Sequence, residues 1–160
     1  MKNFYILVGN IGSGKSTYIK KNYKGGVIVS KDGLRYSIGG GQYIFNRFYE
    51  PIIHATSCYM ADKFCSIEIP EIILDETNVI KKGREQFIKI AKKYGYKVIA
   101  IKFPRLNKKE AVDRRMTNPH CQYDRKIWEE VWRKFNNRYT EPTLEEGFDE
   151  IINVDIKEVI

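Results

Sequence analysis

Residues Gly9-Asn10-Ile11-Gly12-Ser13-Gly14-Lys15-Ser16-Thr17 carry the complete G-x-x-x-x-G-K-[ST] spacing of a phosphate-binding loop. They follow directly on the apolar run Phe4–Val8. Each residue type has a physical task. Gly9, Gly12 and Gly14 allow backbone turns that a side chain would forbid, so successive N–H groups, that of Ser13 among them, point inward at phosphate oxygens. The helix expected next adds the partial positive charge of its N-terminus. Lys15 is placed to reach the β- and γ-phosphates, Ser16, which completes the motif, to hold Mg²⁺ through its hydroxyl, and Thr17 follows as a further cofactor-binding candidate. The predicted ligand is ATP with Mg²⁺.

Phosphoryl transfer needs more than a cradle. A carboxylate must orient the acceptor hydroxyl and take its proton, and positive charge must meet the transferring group. Two carboxylates stand at the ends of predicted strands, Asp32 in Ser30-Lys31-Asp32-Gly33-Leu34-Arg35 and Asp75 in Asp75-Glu76-Thr77-Asn78. Asp32 is the candidate base, its alternative reading being a turn residue or the N-cap of the next helix. Asp75 suits support of Mg²⁺, directly or through water, or capping of the turn at Thr77 and Asn78. Arg114 and Arg115 fall on a predicted helix within Lys108–Asn118, where a lid (about 105–120) would deliver one of them to the triphosphate; the alternative is a solvated charged face. His54 reads as a packing or hydrogen-bonding residue, and His120, beside Cys121, has no metal-spaced partners.

The elements that must position these groups alternate along the chain. Predicted strands are Phe4–Val8, Val27–Ser30, Glu71–Leu74, Tyr96–Phe103 and Glu150–Val154. Helical stretches lie between them, which argues for an α/β fold with a parallel sheet flanked by helices. Ile6-Leu7-Val8 and Ile72-Ile73-Leu74 lack polar alternation, as central strands buried on both faces do. In such sheets ligands bind beyond the carboxyl ends of the strands, where Asp32 and Asp75 are expected. Gln42–Ile67 reads as one long helix with Ile44, Phe48, Ile52, Ala55 and Tyr59 at helical spacing, kinked at Pro51 or beginning there. A helix over 81–94 carries Phe87, Ile90, Ala91 and Tyr94 on one face and ends at Gly95. Gly39-Gly40-Gly41 is a flexible tract.

The 160 residues fit one domain with one core. No apolar run reaches the roughly 18 residues of a membrane helix, and no signal peptide precedes the first strand. A cytoplasmic location is expected, with Cys58, Cys65 and Cys121 reduced. Cys58 and Cys65 belong on one helix face as packing residues. The formal net charge is +8, unevenly spread. Residues 81–109 hold eleven Lys or Arg and one Glu, whereas 141–160 hold seven acids and one Lys. A basic middle beside an acidic tail is consistent with a polyanionic partner and equally with solvated faces.

The chain resembles the kinase domain of polynucleotide 5′-hydroxyl kinases, of phage type and of animal polynucleotide kinase–phosphatases. Four pieces carry the likeness: Gly9–Thr17; the Asp32-x-x-Arg35 step; Asp75-Glu76-Thr77-Asn78; and Trp132-Arg133-Lys134-Phe135 with Glu141-Pro142-Thr143-Leu144-Glu145-Glu146-Gly147-Phe148. The resemblance implies a P-loop NTPase fold with a small helical lid and a 5′-hydroxyl end of DNA or RNA as acceptor. It makes Asp32 the general base, sets Arg35 on an acceptor phosphate, and gives Lys15 and Ser16 to ATP and Mg²⁺. Asp75 supports the site, and Arg114 or Arg115 is the lid arginine. The sequence departs from the pattern at Asn10-Ile11, where a proline is common, and at Lys31, where an arginine usually precedes the aspartate.

Three functions compete on these residues: a 5′-hydroxyl polynucleotide kinase; a kinase of a small hydroxylated metabolite or nucleoside; and a nucleotide-dependent switch lacking an acceptor. The first predicts a basic path from Arg35 toward 81–109 and base stacking on exposed aromatics. The second needs a closed acceptor pocket. The third tolerates loss of Asp32.

Overall fold

The apolar runs become strands of a single parallel sheet. The computed structural model describes residues 1–23, 25–117 and 123–159. In chain order its main elements are β1 (Asn3–Val8), α1 (Lys15–Asn22), β2 (Val27–Ser30), α2 (Lys31–Ile38), α3 (Glu50–Ser66), β3 (Glu71–Asp75), α4 (Lys81–Lys93), β4 (Lys97–Lys102), α5 (Lys108–Thr117), α6 (Arg125–Asn137) and β5 (Glu150–Asn153). Two 3₁₀ turns, Leu144–Glu146 and Ile156–Glu158, flank β5.

The strand order is β2-β3-β1-β4-β5, with every pairing parallel. β1 has β3 on one side and β4 on the other, so the chain changes direction across the sheet at its carboxyl end. That is the switch point where α/β sheets bind ligands, and it is where the glycine-rich loop begins. β1 is covered on both faces, which explains its unbroken apolar run. Phe4, Ile6 and Val8 enter a core with α3 and α4 through Cys58, Ala61, Phe87 and Ala91. Leu7 faces the other way, onto Ile19 of α1 and onto Ile101, Phe103 and Val159.

The predicted helix over 42–67 requires a correction. α3 starts at Glu50 with Pro51 in its first turn, where a missing N–H costs nothing, and 42–49 is irregular. The stripe of Ile44, Phe48, Ile52, Ala55 and Tyr59 faces solvent. The buried face is instead Ile53, Ser57, Cys58, Ala61 and Cys65. Cys58 and Cys65 do share that face, and burial pushes the Cys65 thiol up to about 12. Cys121, His120 and the end of the predicted lid (118–120) lie outside the described residues.

The charge asymmetry also finds an internal explanation. Because α4 leads into β4 and β4 pairs with β5, the basic middle lies against the acidic tail. Lys92 pairs with Asp149, Lys97 with Glu150, Lys102 with Glu141 and Arg84 with Glu146. The last pair is fully buried, with side chains 0% and 1% exposed. Arg84 also donates to the Asn78 and Thr140 carbonyls, while Glu146 closes a capping box with Thr143. The segment Glu141–Phe148 therefore acts as a clasp on α4. No helix among the described residues is long and apolar enough to cross a membrane.

Candidate functional site: the phosphate loop and its carboxylates

The loop between β1 and α1 has the backbone its glycines anticipate. Gly12 and Gly14 sit at φ 69° and 97°, in the left-handed region that side chains resist. Space demands glycine as well. A Cβ on Gly12 would lie 2.2 Å from the Ala111 carbonyl oxygen of α5, and one on Gly14 would lie 2.4 Å from Val159 Cβ. Gly9 donates its N–H to Thr77 O at 2.9 Å, which ties the start of the loop to the turn after β3. Asn10, in the Asn10-Ile11 pair that departs from the resembled pattern, accepts from the Ile11 N–H and donates to Trp132 O. The loop is thereby anchored to α6.

Lys15 opens α1, and its ammonium donates to the carbonyls of Gly9 and Asn10, both at 2.8 Å. Burial pushes its pKa down to about 8; Asp75 and Asp32 oppose that shift, whereas Arg115 adds to it. Asp75 ends β3, paired in register with Ser30 at the end of β2. Burial raises its pKa, with Lys15 pulling it down and Asp32 pushing it up. Lys15, Asp75, Asp32 and Arg115 thus share one electrostatic neighbourhood, although they lie far apart in sequence. Ser16 is exposed in the first turn of α1, and Thr17 is half-buried beside it. A triphosphate suits this cradle: a glycine-shaped turn at a helix N-terminus, a poorly solvated ammonium, an accessible hydroxyl and a nearby carboxylate are groups it needs.

Asp32 stands in the first turn of α2. The N-cap of that helix is Ser30, whose hydroxyl accepts the Gly33 N–H at 3.2 Å, so Asp32 is not spent on capping. Its Oδ1 accepts from Arg35 Nη1 at 2.6 Å and from the Tyr43 hydroxyl at 3.0 Å. Arg35 is gripped from the other side by Glu50, Nε to Oε1 at 3.0 Å and Nη2 to Oε2 at 2.6 Å. The guanidinium expected on an acceptor phosphate is therefore engaged by two carboxylates, with its side chain 12% exposed. Glu50 and Tyr43 were not anticipated. The only local hint of Glu50 was an acid just before Pro51 at a helix start.

The rest of the Asp75–Asn78 turn is structural. Glu76 pairs with Lys31 at 3.0 Å and is raised by burial. Asn78, at φ 48°, donates to Leu7 O at 2.8 Å. His54 Nε2 lies 2.9 Å from Gln86 Oε1, and its ring meets the edge of Phe87, as a packing residue should.

The two candidate lid arginines lie near the loop in different settings. Arg115 stacks 4.4 Å from the Trp128 ring centroid and bears electrostatically on Lys15. Arg114 donates to the carbonyl of Val159, the residue packed against Gly14. α5 does not stand clear of the loop: Ile11 shares a small core with Val112 and Trp128.

The family described as AAA domain, AAA_33, matches residues 5–142. Over 104 residues the chain is 30% identical to the 2′,3′-cyclic-nucleotide 3′-phosphodiesterase of Rattus norvegicus. That match takes in 62% of this chain and only 23% of the relative's length. Among solved structures, Chaetomium thermophilum Kti12 in complex with ADP-AlF3 superposes with a TM-score of 0.66 at 20% identity, covering 98% of this chain and 94% of that one. The Pnkp1/Rnl/Hen1 RNA repair complex gives 0.65 at 19% identity, over 92% and 46%. Shikimate kinase from Acinetobacter baumannii gives 0.58 at 16% identity, over 97% and 85%. These structures share the fold: a five-stranded parallel sheet with flanking helices, built as in P-loop kinases. The chain belongs to the AAA_33 family of AAA domains and has a kinase-like P-loop architecture.

Proposed function

We propose that the chain transfers the γ-phosphate of ATP to the 5′-hydroxyl end of DNA or RNA. The observation that carries this reading is the place of Asp32 in the first turn of α2, directly after β2, whose last residue Ser30 pairs in register with Asp75 at the edge of the sheet where the phosphate loop begins. A base for the acceptor hydroxyl and a clamp for the donor phosphates are then parts of one site. The names of two similar proteins, a cyclic-nucleotide phosphodiesterase and an RNA repair complex, favour a nucleic acid terminus over a small metabolite.

In this reading Gly9–Thr17 bind the triphosphate, and Lys15 bridges the β- and γ-phosphates. Ser16, supported by Asp75, would hold Mg²⁺, which supplies charge neutralisation at the phosphates. Asp32 accepts the proton as the hydroxyl oxygen attacks phosphorus, and ADP leaves. Arg35, held from its other side by Glu50, fixes the orientation of Asp32. Arg115 meets the charge that develops on the donor side, and Arg114 holds the lid to the loop through Val159.

The test is transfer of labelled γ-phosphate from ATP with Mg²⁺ to a short 5′-hydroxyl oligonucleotide, wild type beside Asp32→Ala. Labelled product from the wild type alone is expected. Absence of product with both DNA and RNA, while ATP still binds, would overturn this acceptor and direct the search to small hydroxylated molecules.

A further inference from the structure

The irregular segment ahead of α3 and the first turn of that helix present apolar side chains that no core uses. Phe45 is 52% exposed, Phe48 70%, Tyr49 44% and Ile52 65%. Four such residues clustered over eight positions are more than the scattered surface apolar groups of an ordinary domain. The cluster adjoins the candidate site. Arg35, which donates to Asp32, has its guanidinium carbon 5.6 Å from the Phe45 ring centroid, and Tyr49 immediately precedes Glu50. Arg47 lies 4.8 Å over the Phe48 ring.

The charges here indicate what covers these rings. Arg47 is the one charged residue in 36–49, so no carboxylate of the segment opposes a phosphodiester. The next acid, Glu50, is turned toward Arg35, which it shares with Asp32. Exposed aromatic faces with guanidinium groups over them match the two components of a single strand, flat bases and a negative backbone. A base-paired end would offer only its outermost pair to such rings. Meanwhile the basic stretch 81–109, the other candidate track, has Arg84, Lys92, Lys97 and Lys102 paired with the acidic tail.

We propose that Phe45 and Phe48 form a stacking platform for the first unpaired bases of a single-stranded nucleic acid, with Arg47 on the adjoining phosphodiester. The end delivered to Asp32 is then a single-stranded one. The inference rests on the 5′-hydroxyl kinase reading for the direction of entry, and its test reads binding rather than transfer.

A single-stranded 5′-hydroxyl oligonucleotide carrying a 3′ fluorophore is titrated by anisotropy into wild type, Phe48→Ala and Phe48→Trp. Phe48→Ala is expected to weaken binding roughly tenfold, and Phe48→Trp to restore it. An oligonucleotide abasic at its first two positions keeps every phosphate; it should lose about tenfold with wild type and little with Phe48→Ala. Arg47→Ala should flatten the dependence of log affinity on log salt by about 0.7. Unchanged melting temperatures, expected for side chains so exposed, serve as the folding control. The platform is overturned if Phe48→Ala binds as wild type does, or if wild type binds a blunt duplex as well as the single strand. It is also overturned if sedimentation shows a dimer of the chain that Phe48→Ala dissociates. Phosphate transfer whose KM is insensitive to Phe48 removes the platform and leaves the kinase reading. Phe48-dependent binding without transfer does the reverse.

Discussion

Glu50 grips Arg35 with both oxygens, at 3.0 and 2.6 Å, and so fixes the guanidinium that donates to Asp32. A residue at the start of α3 thereby orients the candidate base on α2. Glu50→Gln should keep the fold and ATP affinity, yet lower kcat roughly tenfold or more, because a reacting group displaced by an ångström costs about that much or worse. Steady-state kinetics that separate kcat from the KM for ATP check this. Asp32→Asn should lose about 10²–10⁴-fold in kcat, the contribution of a general base.

Lys15 joins nucleotide binding to pH. Unfolded, it keeps its proton to about 10.5; folded, it releases it near 8. Between those values the unfolded chain binds more protons, so this group opposes folding below about pH 8 and ceases to do so as pH rises toward 10.5. Lys15→Met is therefore expected to raise Tm at pH 7 by about 2–4 °C, the shift of about 1 kcal/mol in a domain this size, while abolishing ATP binding. Thermal melts and calorimetric titration read the two effects.

The same depressed pKa makes nucleotide binding proton-linked. Phosphates favour the charged ammonium, so ATP should draw a proton onto Lys15 near pH 8, and affinity should fall from pH 7.5 to 9.5. Titrations in buffers of different ionisation enthalpy measure the uptake directly.

Much of the architecture was legible because it rests on local rules. The run Phe4–Val8, the glycine spacing after it and the polar residues ending β2 and β3 identify a P-loop sheet from the chain alone. The helix expected over 42–67 differs from the structure because an apolar spacing continues across Pro51, a residue that permits either a kink or a start. The start was correct, and the outward face of the stripe arises from exposed aromatics that are not core. Glu50 and Tyr43 escaped notice because pairings 15 and 11 residues away are set by how α2 meets α3. The segment Glu141–Phe148, the most specific part of the likeness, contributes through Glu146 and its buried partner rather than at the site.

That buried pair gives a stability test. Glu146→Gln leaves the Arg84 guanidinium, 0% exposed, without its counter-charge, and should cost about 3–5 kcal/mol in urea unfolding. Replacing both residues together, Arg84→Met with Glu146→Leu, should cost less than the sum of the two single changes.

Gly12→Ala should be destabilising by about 1–3 kcal/mol from its backbone conformation, with the clash on the Ala111 carbonyl in addition. Chemical denaturation and the accompanying loss of ATP affinity report it.

The two glycines that touch Ala111 and Val159 have a mechanical meaning. Elements from the far end of the chain rest on the loop at points where one surface is bare backbone, with no pliant side chain to absorb a shift. A change of loop shape at residue 12 or 14 is handed on undamped to α5 and to the turn at 156–158. The loop and its roof form one rigid part, and a phosphate bound beneath should slow amide exchange a hundred residues later in the sequence.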